Sequence, residues 1–173
     1  MHVSVLRLGH RIKRDERATT HVCLVARAFG ASEVFISGDK DTALIERIGK
    51  MQEKWGFGIT VKHVKNWREV LDNWHGIKVH LTMYGLPVSH VLSEIKKAEN
   101  ILVIVGSQKV PPEIYKNADF NVSITNQPHS EIAALAVFLD HLFEGAELEQ
   151  NSFKNAKHRI IPSARSKLIR RYL

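Results

Sequence analysis

Six short runs rich in valine and isoleucine punctuate the first 125 residues: VSVLRL at 3–8, EVFIS at 33–37, ITVKHV at 59–64, IKVHLTM at 77–83, NILVIVG at 100–106 and FNVSIT at 120–125. Several are apolar without alternation, the mark of strands covered on both faces. Between them apolar positions recur at helical spacing over 19–29, 42–55, 67–74 and 89–98, and a last helix is predicted over 130–143. This alternation predicts an α/β fold with a mainly parallel sheet and helices on both faces. In such sheets ligands bind at the carboxyl ends of strands where the chain order reverses.

Punctuation residues agree with these limits. Gly30 follows Phe29 where a left-handed residue would stop the first helix, and Pro87, Pro111 and Pro112 fall where helices start or loops turn. The last helix is unusual because Ile132, Leu135, Val137, Phe138, Leu139, Leu142 and Phe143, with alanines between them, leave almost no polar face. A surface helix should carry one. Residues 1–145 are expected to form one domain and 146–173 an appendage with too few apolar residues for its own core. A short helix is predicted within 163–172.

Charge changes the picture once it is located. The formal net charge of +7 lies in the final 23 residues, which hold Lys154, Lys157, Arg159, Arg165, Lys167, Arg170 and Arg171 and no acid. The remaining 18 basic and 18 acidic residues balance. A basic appendage suits a polyanion such as nucleic acid, or is simply solvated. A second basic element, Arg7, Arg11, Lys13, Arg14 and Arg17, follows the first strand, where guanidinium forks suit phosphate geometry. One cysteine, Cys23, allows no disulfide within the chain. The opening residues lack the apolar core of a signal peptide, and no run approaches the roughly 20 apolar residues of a membrane span. A soluble, cytoplasmic protein with no membrane contact is expected.

Several chemistries lose their footing. There is no G-x-G-x-x-G after a strand, no P-loop and no G-x-S-x-G elbow. The ten histidines include no i, i+4 pair, and no metal site is expected. Three polar loops after strong strands remain: LTMYG at 81–85, GSQKVPPEIY at 106–115 and ITNQPHSE at 124–131. Leu81, Val110 and Ile124, with nearby main chain, could form an apolar slot for an adenosine; ordinary connecting turns would also account for these loops.

LGHRIKRDERATTHVCLVARAFGA, HLTMYG, VIVGSQKVP and NVSITNQPHSEIAALAVFLDHLF together resemble the SPOUT superfamily of S-adenosylmethionine-dependent RNA methyltransferases. The resemblance is most specific to its archaeal tRNA (cytidine-56)-2′-O-methyltransferase subgroup, and covers about residues 1–145. It implies a C-terminal deep trefoil knot, an obligate homodimer, tRNA as substrate and S-adenosylmethionine as cofactor. Residue by residue it implies a cofactor site on Leu81, on Gly106, Ser107, Gln108, Lys109 and Val110, and on Ile124, Thr125, Asn126, Gln127, Pro128, His129, Ser130 and Glu131. The chain departs from broader relatives in its first motif, RDERATTH, and in Gln108, Lys109 and Val110.

Within that reading Arg17 is the expected catalytic cation, since the start of the first helix adds positive potential to its own. His21 and Asn126 are the other catalytic candidates. The remaining basic residues of both elements are expected on RNA phosphates. The apolar last helix is expected to be covered by its sheet on one side and by a second subunit on the other, with Ala134 on the outward face. Methylation of another RNA site, a non-catalytic RNA-binding role and a nicotinamide-dependent oxidoreductase are the competing readings, the last disfavoured by the missing glycine fingerprint.

Overall fold

The structure, a computed structural model, describes residues 1–106, 109–149 and 152–172. Six parallel strands form one sheet: β1 (His2–His10), β2 (Glu33–Gly38), β3 (Thr60–Val64), β4 (Ile77–Pro87), β5 (Asn100–Val105) and β6 (Phe120–Ser123). Their order is β3-β2-β1-β5-β4-β6. The strands are joined by α1 (Glu16–Ala28), α2 (Thr42–Trp55), α3 (Trp67–Asp72), α4 (Val88–Ile95) and α5 (Pro112–Asn117), and α6 (Glu131–Phe143) closes the domain. From β1 the chain moves toward one edge of the sheet, and from β5 toward the other. The boundary between these two neighbours is therefore a switch point of the kind that opens a crevice.

All six expected strands and the long helices are present. α1 begins at Glu16, three residues before the apolar pattern, so Arg17 lies in its first turn. Gly30 has the expected positive φ of 87°, and Pro112 opens α5, a helix too short to show periodicity.

The central strands are buried on both faces, with Val3, Val5, Ile101 and Val103 packed toward α1 and α6 and Leu6, Leu8, Leu102 and Ile104 toward α3 and α5. Ser130 caps α6 by accepting from Ile132 N at 3.1 Å, and Glu144, in a left-handed conformation at φ 57°, ends it. Leu135, Phe138, Leu139 and Leu142 of α6 are core residues. Ala134 is also buried, 5% exposed, because it packs inward beside the sheet; the outward residues are Ala133 and Val137. The expected outward position of Ala134 is thus corrected.

The C-terminal region also differs from expectation. In place of a helix within 163–172 it forms an antiparallel hairpin, β7 (His158–Ile161) and β8 (Leu168–Arg171). The two strands pair apolar with apolar and polar with polar residues, Ile160 opposite Ile169 and Arg159 opposite Arg170. The hairpin is fastened to the domain. Phe153 lies over Gly56 and Gly58, where a Cβ at Gly58 would come within 2.3 Å of its ring. Arg27 lies over that ring, 3.8 Å from its centre, while donating to Trp55 O and Gly56 O at 2.9 and 2.8 Å. Phe57 N and Lys157 N complete the seam by donating to Lys154 O and Lys54 O. No helix among the described residues is long and apolar enough to cross a membrane.

Phe138→Ala should lower unfolding free energy by about 3–5 kcal/mol, the usual cost of emptying a buried aromatic site. Val137→Ala, on the side of α6 that its own sheet leaves uncovered, should cost clearly less than Phe138→Ala; equal shifts in denaturant midpoint would refute this division of the helix.

Candidate cofactor cleft and cationic rim

The carboxyl ends of β4, β5 and β6, beside the end of β1, enclose a cleft of about 590 Å³. Leu81, Val110 and Ile124 give it apolar walls. At Gly106, where β5 ends, a Cβ would lie 2.1 Å from Val110 Cγ2, so a larger residue would push the Val110 side chain aside. The absence of that Cβ lets the returning loop close on the strand.

The wall between β4 and β6 has an unusual register. Val79 to Leu81 pair with Phe120 to Val122, and the ladder resumes with Leu86 opposite the same Val122. Residues 82–85 therefore leave the ladder and stand along the cleft. Asn126 holds them there, its Nδ2 donating to Met83 O at 2.7 Å and Gly85 O at 3.1 Å.

The floor is charged. Arg7 is only 1% exposed; its Nη1 donates to Leu8 O at 2.7 Å and its Nη2 meets Glu131 Oε1 at 3.4 Å. Burial lowers the Arg7 pKa, and the charges of Glu131 and Asp15 work against that shift. Asp15 accepts from Arg11 N and Arg11 Nε at 3.1 and 3.2 Å. Burial opposes ionisation of Asp15, yet donation from Arg11 and the charges of Arg11 and Arg7 hold it below the usual carboxylate range. Basic and acidic groups thus alternate around a site suited to a zwitterion.

On the opposite wall, Asn121 Nδ2 donates to Tyr115 O at 2.9 Å, which turns its Oδ1 toward His80 Nδ1 at 2.8 Å. The proton of neutral His80 therefore sits on Nδ1. Burial lowers the pKa of His80, and the bond to Asn121 opposes the shift. The ring meets Tyr115 edge-on at 4.7 Å, and the Tyr115 hydroxyl lies 3.1 Å from Thr82 Oγ1.

Of the expected cofactor residues, Leu81, Gly106, Val110, Ile124, His129 and Glu131 line this cleft. Thr125, Gln127, Pro128 and Lys109 are exposed beyond its lining, and Ser107 and Gln108 lie outside the described residues. Ser130 serves as the α6 cap. Asn126 was expected to act chemically and to contact the cofactor; in the structure its Nδ2 donates to the backbone carbonyls of Met83 and Gly85. Arg7 was expected on RNA phosphates; its buried ion pair on the cleft floor corrects that as well. Arg11 and Arg14 stand at the cleft itself. Arg17 and His21 face a depression of about 360 Å³, with Lys13, Arg14, Glu16, Thr20 and Arg47, that adjoins the cleft at Arg14. In the hairpin region Lys154, Lys157, Arg165, Lys167, Arg170 and Arg171 are exposed and Arg159 is half-buried.

No role had been assigned to His80, Thr82, Tyr84, Tyr115 or Asp15, although Thr82, Tyr84 and Tyr115 lie in the polar loops chosen at 81–85 and 106–115. For His80 the signal was position: it precedes Leu81 on the same strand and points to its other face.

Cleft volume and lining suit a nucleoside-sized ligand, for which pockets of roughly 300–1,000 Å³ are usual. Three apolar walls fit an adenine, and the paired charges of Arg7, Asp15 and Glu131 fit the charged end of S-adenosylmethionine.

The fold is that of the SpoU-type RNA methyltransferases: AviRb from Streptomyces viridochromogenes, solved with S-adenosylmethionine, superposes with a TM-score of 0.62 at 14% identity, over 82% of this chain and 56% of that one. A family model described as tRNA ribose 2′-O-methyltransferase, aTrm56, matches residues 55–170. The tRNA (cytidine(56)-2′-O)-methyltransferase of Methanopyrus kandleri is 53% identical over 170 residues, 96% of this chain and 95% of that protein. Its counterpart in Pyrococcus horikoshii is 50% identical over 171 residues, 96% of this chain and 84% of that protein. The chain belongs to the archaeal tRNA ribose 2′-O-methyltransferase family.

Because burial depresses its pKa, folded His80 resists the proton that the unfolded chain accepts below the ordinary histidine value of about 6.5. Its contribution is complete above that pH and declines as pH falls through it. Urea midpoints should drop more steeply from pH 7.5 to 5.5 in the parent than in His80→Gln; parallel slopes would contradict a neutral buried His80.

Proposed function

We propose that this chain acts in the cytoplasm as a homodimer that methylates the ribose 2′-oxygen of cytidine 56 in tRNA, with S-adenosylmethionine held in the cleft at the ends of β4, β5 and β6. The observation that carries this reading is the convergence of Leu81, Gly106, Val110, Ile124 and Glu131 on one cleft in a chain of this family. When bound, S-adenosylmethionine supplies an activated methyl group on its sulfonium. The protein's part is to bring the 2′-hydroxyl into line and to ease loss of its proton; good positioning alone is worth several kcal/mol, up to roughly 7–11 in the best intramolecular models.

Arg17 is the proposed cation beside the developing alkoxide. Its position in the first turn of α1 adds the helix potential to its charge, and a guanidinium stabilises an oxyanion without giving up its own proton. Arg17 lines the depression that adjoins the cleft at Arg14 and does not line the cleft itself, a placement that fits a dimer in which Arg17 of one protomer serves the cleft of its partner. Exposed Ala133 and Val137 on an otherwise apolar α6 supply a surface for that dimer. His21 lies beside Arg17 as a second substrate contact. A knot is proposed for residues 77–145, supported by the repeated pairing of Val122 across the excursion at 82–85. The hairpin at 158–171 and the cationic depression would grip tRNA phosphates, a contact that weakens as salt rises.

The test is transfer of labelled methyl from S-adenosylmethionine to unmodified tRNA transcript, mapped by nuclease digestion. Label is expected at the ribose of cytidine 56. Arg17→Ala should lose turnover while keeping cofactor affinity, whereas Leu81→Arg should lose turnover by losing the cofactor; the two variants mixed as heterodimers should regain turnover. No recovery on mixing would overturn service across the dimer, and label elsewhere would overturn the assigned acceptor.

A further inference from the structure

Tyr84 is the most exposed large hydrophobic side chain among the described residues, at 75%. It also lines the cofactor cleft. Such exposure at a loose loop tip would mean little, but this loop is fixed on both sides of Tyr84. Asn126 Nδ2 binds the carbonyls of Met83 and Gly85, the residues directly before and after it. Tyr84 N approaches Thr82 Oγ1 at 3.4 Å, and Gly85 lies so close to the 121–122 backbone that a Cβ would come within 2.5 Å. The backbone is thus ordered to hold an aromatic ring at the mouth of the cleft.

We propose that Tyr84 is the stacking platform for the nucleobase whose ribose is methylated. This rests on the methyltransferase function given above and extends it to how the acceptor nucleotide is held. Ribose methylation leaves the base unchanged, so the base must rest beside the reacting sugar without being consumed. Proteins that capture unpaired RNA bases do so on aromatic faces, and a side chain carried on backbone already held in place has less freedom to lose on contact than one on a loose loop. Arg11 and Arg14 line the same cleft, where their charge suits the phosphates on either side of a nucleotide laid on Tyr84. Leu81 and Ile124 are half or fully buried walls and fit the cofactor's ring; Tyr84, open to solvent, fits a group that arrives with the substrate.

The full-length protein should be compared with Tyr84→Ala, Tyr84→Phe and Tyr84→Trp, using unmodified tRNA transcript and labelled S-adenosylmethionine. The alanine variant should lose about tenfold or more in kcat/KM for tRNA, the scale of one lost base stack, while phenylalanine and tryptophan stay within about threefold. Cofactor Kd by calorimetry and dimer mass by sedimentation should remain those of the parent. Unchanged tRNA kinetics in Tyr84→Ala would overturn the proposal. An equal loss of cofactor affinity would assign the ring to the cofactor, and a fall in mass would assign it to a second copy of the chain; either result also overturns it. In all three cases the parent still labels cytidine 56, so the methyltransferase reading stands; a parent that labels nothing there would remove both.

Discussion

The carboxyl edge of the sheet depends on how β4 leaves β6 after Leu81 and meets it again at Leu86. Both residues face Val122, so four residues between them have no place in the ladder. Displaced backbone must find other partners for its polar groups, and Asn126 supplies two of them by binding the carbonyls of Met83 and Gly85. One side chain from the loop after β6 thereby fixes the loop that interrupts β4. The cleft walls at Leu81 and Ile124 are held at a set separation by the same contact, and Tyr84 is presented between its two anchored neighbours.

The electrostatics follow from that frame. Arg7 ends up beneath the cleft because β1 is central and its alternate residues face α1 and α6. A buried guanidinium is costly without a counter-charge, and Glu131 answers it from the first turn of α6, where a carboxylate also suits the helix potential. Farther out, the charge excess of the C-terminal residues is mounted on a hairpin pinned by Phe153 against Arg27 and Gly58. The basic surface is therefore carried by the domain at a fixed place.

Much of this was legible in the sequence because the strands are buried on both faces and the long helices keep a clear spacing. The limits of α2, 42–55, follow directly from its apolar positions. The three polar loops could be chosen because each follows a strong strand, and parallel sheets gather such loops at one edge. Other features depend on contacts across the sheet that spacing does not encode. Arg7 looked like one more member of a basic loop until the sheet placed it opposite Glu131. The backbone partners of Asn126 were hidden because Gly85 and Met83 lie 41 and 43 residues earlier. The hairpin was misread as a helix because four-residue strands carry too little pattern, and Ala134 faces inward because α6, apolar on nearly every side, gave no sequence cue to its orientation.

The dependence of the cofactor cleft on the Asn126 clamp is tested most directly by calorimetric titration of S-adenosylmethionine into Asn126→Asp. The substitution keeps the shape of the side chain, removes both donated bonds and sets a carboxylate against two carbonyls. Two lost hydrogen bonds at roughly 0.5–1.5 kcal/mol each predict cofactor binding weakened about tenfold or more, with the circular dichroism spectrum of the parent retained. Parent-like affinity in a folded Asn126→Asp protein would contradict the account.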